Sequence, residues 1–239
     1  MSPLGPSQPL ILQTADGRSL PAWAAMPDGP LRGAVVVLQE IFGVNSHIRA
    51  VTERFAARGF AALAPALFHQ FDPTGPLGVE LGYTEADVQA GLRLKAQAEA
   101  LPPPGVQQDI HAAVDWLATT TGQKVGVVGF CWGGLLAWRA ACQLPQLSAA
   151  VCYYGGGMTR PEERSRSPLC PVMAHFGRQD AHIPLDSVQA FDQVQPQAQV
   201  LVYDADHGFN CGQRGSYDDA SALVARDRTL AFLDAQLGG

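Results

Sequence analysis

Residues 126–134 read GVVGFCWGG, a cysteine framed by glycines where two runs of opposite character meet. Upstream, KVGVVGF is apolar and β-branched; downstream, LLAWRAAC favours helix. Gly129-Phe130-Cys131-Trp132-Gly133 has the form G-x-C-x-G, a nucleophile elbow with a thiol in place of the usual hydroxyl. The glycines are there for steric reasons, because flanking side chains would collide where a strand turns abruptly into a helix. Such a turn strains the backbone of its central residue and pushes that side chain outward. The helix that follows aims N–H groups and partial positive charge at the sulfur. Both favour thiolate over thiol, and the same N–H groups can hold an oxyanion. The pattern points to covalent catalysis by Cys131.

A free cysteine is ordinarily a small buried hydrophobe, but that role leaves the glycines unexplained. For Cys142, Cys152 and Cys170, each within or beside an apolar stretch, the buried role is expected; Cys211 falls in a loop and stays unassigned. The glycine run is not a dinucleotide fingerprint, because GxGxxG is absent from 126–134.

Short β-type runs alternate with helical stretches around this motif. Strands are expected at 33–39, 60–68 (ending near Pro65), 124–130, 148–154, 171–177 and 198–204. Helices are expected over 46–58, from a Thr84/Asp87 capping box to about Ala100, along Val106–Leu117, from Cys131 to Leu144, and from Ser221 to Leu237. Asp186 with Gln189 suggests a further capped helix reaching Val194. Two antiparallel edge strands are expected near Leu10–Thr14 and Leu20–Met26. This alternation predicts an α/β chain, with a mostly parallel sheet flanked by helices on both faces, forming one domain over 1–239.

In such sheets the chemistry sits at the carboxyl ends of the strands. Glu40 follows strand 33–39, Cys131 follows 124–130, Arg178-Gln179-Asp180 follows 171–177, and Ala205-Asp206-His207-Gly208 follows 198–204. A thiol, an imidazole and two carboxylates thus share one rim. The chain order nucleophile, acid, histidine is that of α/β-hydrolases. His182 is a rival base, but it lies too near Asp180 to occupy a separate strand end. Asp204 and Asp206 rank below Asp180 as orienting acid, being neighbours of His207 on its own loop. His47, His69, His111 and His175 read as structural or surface residues. Glu40 is the fourth member, which a nucleophile-His-Asp set does not require; it is either a turn residue or part of the site.

The chain has 239 residues, 47% hydrophobic and 16% charged, with a net charge of −6, so it can bury a sizeable core. No Lys/Arg-rich run occurs, which argues against nucleic acid or an acidic membrane surface as partner. MSPLGPSQPL lacks the basic and apolar regions of a secretory leader, and no apolar run is long enough to span a bilayer. Five cysteines with no CxxC pair suggest reduced thiols in a cytoplasmic protein rather than a zinc ribbon or disulfide framework.

QEIFGVN (39–45), GFCWGG (129–134), the Gly177–Asp180 loop and DHGFN (206–210), in that order, resemble the dienelactone hydrolase (carboxymethylenebutenolidase) family. The resemblance runs from about Val35 to the C-terminal helix and implies an α/β-hydrolase fold with a Cys-His-Asp triad. By position it makes Cys131 the nucleophile, His207 the base and Asp180 its orienting acid. It makes Glu40 the family's extra glutamate, which holds the resting thiol and helps generate thiolate as substrate enters. It assigns the oxyanion hole to the backbone N–H groups of Trp132 and Ile41. Two departures concern the substrate. Cys211 stands where the family has a substrate-binding arginine, and a second such arginine has no clear match in 72–89; Arg93 and Arg214 are the nearest alternatives.

The function implied is hydrolysis of a small-molecule lactone or ester through an acyl-enzyme, with no metal or organic cofactor, in a monomer or weak homo-oligomer. Two rival readings are a non-catalytic small-molecule-binding module and a thiol redox protein on the same fold. The second is weakened because no resolving cysteine adjoins Cys131.

Overall fold

A computed structural model describes residues 7–238. Of the leader reading of the first ten residues, positions 1–6 lie outside that range. The chain gathers into two compact units, one reaching to Val125 and the other spanning Gly126–Gly238.

The first unit carries β1 (Ser7–Gln13), β2 (Ser19–Ala25), β3 (Gly33–Leu38) and β4 (Phe60–Pro65), in the order β1-β2-β4-β3. β1 and β2 are the expected antiparallel pair, in register from Ser7↔Ala25 to Gln13↔Ser19. β2 runs antiparallel to β4, and β3 runs parallel to β4. The uninterrupted apolar runs GAVVVL and FAALAP give strands buried at every residue. Helices α1 (Ser46–Ala56), α2 (Glu85–Glu99) and α3 (Gln107–Thr121) complete the unit. Asn45 caps α1 by accepting from the N–H of Ile48 at 3.2 Å. The Thr84/Asp87 capping box is present in both directions. α3 ends on Gly122, whose φ of 66° is the left-handed stop that glycine takes most readily.

The second unit carries β5 (Val125–Phe130) from Gly126 onward, β6 (Leu147–Tyr153), β7 (Val172–Gly177) and β8 (Ala198–Tyr203), in that order, with β6–β7 and β7–β8 parallel. Its helices are α4 (Trp132–Gln143), α5 (Pro161–Arg164), α6 (Leu185–Val194) and α7 (Asp219–Leu237). The expected Asp186 cap is not found. α6 begins at Leu185 with no side-chain cap, and the Asp186 carboxylate accepts instead from the adjacent Ser187 N–H at 2.7 Å. Asp186 therefore sits inside the first turn, where its charge favours the positive helix end.

Behind the strands of this unit lies a buried polar cluster. His175 Nδ1 bonds the Tyr203 hydroxyl at 2.9 Å and its Nε2 bonds Thr229 Oγ1 at 3.1 Å. The Tyr153 hydroxyl bonds Thr229 Oγ1 at 2.6 Å and donates to the Ala225 carbonyl. Each buried polar atom named here has a partner, which keeps the cluster from costing stability. Among the described residues, no helix is long and apolar enough to cross a membrane.

Candidate active site

The reactive end of the second unit is built on the β5–α4 turn. Cys131 has φ 54° and ψ −116°, a conformation that non-glycine residues rarely adopt. It is stitched in place from both sides: its N–H donates to Tyr153 O at 3.0 Å, and its carbonyl accepts from Gly134 N at 3.0 Å and Gly156 N at 3.3 Å. The glycines prove sterically necessary. A Cβ on Gly129 would lie 1.9 Å from Gly133 O, and one on Gly134 would lie 2.7 Å from Tyr153 O. The strand thus turns into the helix at van der Waals limits, and the Cys131 side chain stays half-buried instead of joining the core.

Asp180 and His207 come to this turn from the ends of β7 and β8. Gly177 lets them approach, since a Cβ there would meet Ala205 O at 2.3 Å, and Gln179 N donates to the same carbonyl at 3.0 Å. The buried Asp180 carboxylate divides its work. Oδ1 accepts from the backbone N–H of His182 and Ile183 at 2.8 and 3.2 Å, and Oδ2 bonds His207 Nδ1 at 2.7 Å. The Cys131 side chain also hydrogen-bonds the His207 ring; with Nδ1 held by Asp180, Nε2 is the nitrogen that faces sulfur. Burial by itself lowers the affinity of this imidazole for a proton, but the Cys131 sulfur and the Asp180 carboxylate outweigh it and push His207 up to about 10. The site therefore favours imidazolium.

The rivals fall elsewhere. Asp204 forms an exposed ion pair with Arg178 at 2.8 Å, and Asp206 bonds the N–H of His207 rather than its ring. The His182 ring is exposed and packs edge-on against His207, with centroids 5.3 Å apart. His175 is the buried core residue already described, and His111 pairs with Asp115 on the surface. Cys152, Cys170 and Cys211 are buried and Cys142 half-buried. Burial pushes the thiols of Cys142, Cys152 and Cys170 upward, away from reactivity. Of the two arginine alternatives, Arg93 is exposed on α2, whereas the Arg214 guanidinium lies where a Cβ on Gly208 would meet it at 2.5 Å, one residue from His207.

In the first unit, Glu40 and Ile41 are buried immediately after β3. The peptide between them is held by Gln39, whose Nε2 donates to Glu40 O at 3.3 Å while its Oε1 accepts from Leu67 N at 3.1 Å. α2 closes on the next peptide, since a Cβ on Gly91 would lie 2.2 Å from Ile41 O. Gln39 is the first residue of the QEIFGVN motif, whereas no motif marks Gly91. Nor does one mark Tyr154, although it follows a strand end. It is fully buried, has φ 37°, and sets its ring 5.1 Å from that of His207.

Parallel strands whose ends deliver an elbow, then Asp180, then His207 give the second unit the plan of an α/β-hydrolase. The Pyrococcus furiosus esterase PF2001 shares the fold of this chain, with a TM-score of 0.67 at 17% identity over 96% of this chain and 90% of its own. The chain belongs to the dienelactone hydrolase family, whose model matches residues 20–237. A relative from Escherichia coli K12 named "Putative carboxymethylenebutenolidase" is 34% identical over 244 residues, covering 94% of this chain and 85% of its own. The carboxymethylenebutenolidase of Pseudomonas putida is 29% identical over 230 residues, 94% of each chain. The crystal structure of "Putative Dienelactone Hydrolase" from Klebsiella pneumoniae superposes with a TM-score of 0.77 at 31% identity, over 97% of this chain and 100% of its own. The protein is accordingly a dienelactone hydrolase-like hydrolase.

Proposed function

We propose that the protein hydrolyses lactone or ester bonds of small molecules through Cys131 as nucleophile, His207 as acid and base, and Asp180 as the carboxylate that orients the ring. The observation that carries this reading is the line from Asp180 Oδ2 through His207 to the Cys131 sulfur, ending on an elbow that holds sulfur out of the core. The sulfur, as thiolate, adds to the carbonyl carbon, and the carbonyl oxygen becomes an oxyanion. Trp132 opens α4, so its N–H points off the helix end toward that charge. Collapse breaks the C–O bond, His207 gives its proton to the departing alkoxide, and an acyl-thioester remains on Cys131. The neutral imidazole then takes a proton from water as that oxygen attacks the thioester, and thiolate and imidazolium are restored.

The test is Cys131→Ala with aryl esters and lactones, with and without a carboxylate. Loss of turnover with an unchanged circular-dichroism spectrum is expected, and a variant of full activity overturns the reading.

A further inference from the structure

We propose that Tyr154 is the positioning residue that sets the relation between the Cys131 sulfur and the His207 ring; the inference rests on the reading above. Two independent features converge on it. The first is its backbone. Tyr154 and Cys131 are the two non-glycine residues with positive φ among the described residues. For a bulky side chain that conformation is disfavoured and persists only where the surroundings impose it. They do so here through three hydrogen bonds. Tyr154 N donates to His175 O at 2.7 Å, its predecessor Tyr153 accepts from Cys131 N at 3.0 Å, and Gly156 N donates to Cys131 O at 3.3 Å. The segment 153–156 thus grips the peptides on both sides of the nucleophile.

The second feature is the ring. The left-handed turn sends it toward the base, where its centroid lies 5.1 Å from that of His207 and 5.4 Å from that of Phe209, at 59° and 71°. His182 meets the same imidazole edge-on at 5.3 Å, so His207 has an aromatic neighbour in Tyr154 and another in His182. One short segment therefore holds sulfur by its backbone and the imidazole by its side chain. A residue that merely filled the core would have no need of the strained turn, and leucine or phenylalanine in relaxed backbone would serve.

The experiment separates ring, hydroxyl and backbone. Tyr154→Phe keeps the ring, while Tyr154→Gly removes it and relaxes the turn. Tyr154→Asn, which also tolerates left-handed backbone, gives the same comparison should the glycine variant not fold. The readouts are kcat and KM for a neutral aryl ester, and the pH profile of Cys131 alkylation by iodoacetamide, which requires no turnover. Tyr154→Phe is expected within about threefold of wild type on both. The ring-less variants are expected to lose tenfold or more in kcat with KM little changed, and to show a displaced alkylation profile, with an unchanged circular-dichroism spectrum at the assay temperature and a melting temperature lowered by the cavity. Ring-less variants with a wild-type alkylation profile overturn the proposal, as does a Tyr154→Phe variant as impaired as they are. His207→Ala is the control for the underlying reading: should it leave the alkylation profile unmoved, the dyad itself fails, and this inference with it.

Discussion

His207 Nδ1 stands 2.7 Å from Asp180 Oδ2, and the other oxygen of that carboxylate is occupied by two backbone N–H groups of its own loop. The acid is thereby fixed before it meets the imidazole, and its remaining charge faces one ring nitrogen. Replacing Asp180 by Asn keeps the Oδ1 bonds but turns an amide NH₂ toward Nδ1. The ring must then place its proton on Nε2, where it confronts the sulfur. Asp180→Asn is expected to lower kcat/KM about a thousand- to ten-thousandfold at an unchanged fold, read with a chromogenic ester and checked by circular dichroism.

The proton on His207 can be followed directly. Sulfur and carboxylate together push this imidazole up to about 10 against the opposing pull of burial. Removing the sulfur with Cys131→Ala should lower the titration midpoint of the His207 ring resonances markedly, because a main source of negative charge is gone. For stability, a folded-state value raised above the ordinary 6.5 means that the contribution is complete below about pH 6.5 and is lost as pH rises toward 10. The wild-type unfolding free energy should therefore decline over that window more steeply than that of Cys131→Ala.

His175 carries the opposite sign. Burial among Tyr153, Tyr203 and Thr229, with the Arg228 charge adding to it, pulls this imidazole down to about 3. The unfolded chain takes up a proton near pH 6.5 that the folded protein refuses, so stability falls as pH drops from about 6.5 toward 3, each unit of separation counting for about 1.4 kcal/mol. A His175→Gln variant should be less stable at pH 7, having imperfect partners for two hydroxyls, yet show a flatter decline between pH 6.5 and 4 in thermal denaturation.

The elbow gives a steric prediction with an internal control. Gly129→Ala would force a methyl carbon to 1.9 Å from Gly133 O, a backbone atom within the same turn. A destabilisation of about 3 kcal/mol or more is expected, with loss of ester hydrolysis. Gly156→Ala, where nothing lies within 4 Å of the added carbon and the N–H to Cys131 O is kept, should fold and react like wild type. Urea midpoints and initial rates on the two variants decide the matter.

Much of the architecture is legible in the chain itself. Runs such as GAVVVL and VGVVGF are readable: six consecutive apolar residues, half of them valine and bounded by short loops, fit a strand buried on both faces. The capping box at Thr84 is readable because both its hydrogen bonds are local. The start of α6 is not, because Asp186 is as well suited to a first turn as to a cap, and the residue before the helix, Pro184, already sets its entry.

What the sequence determined by itself, then, is local and ordered. It set which residues end strands, that Cys131 stands on a turn only glycines allow, and that an acid and a histidine follow in the order a hydrolase needs. These depend on neighbours within a few positions or on the succession of elements, both of which a linear text preserves. Tertiary structure supplied the physical reason the acids rank as they do: Asp180 has Nδ1 in reach, Asp204 a surface arginine and Asp206 a backbone N–H. It also decided that Tyr154 bends into left-handed backbone against His207, because that conformation is imposed by hydrogen bonds from Cys131 and His175, more than twenty residues away on either side. Such packing-enforced strain leaves no trace in composition or spacing, and it becomes visible only when the strands stand side by side.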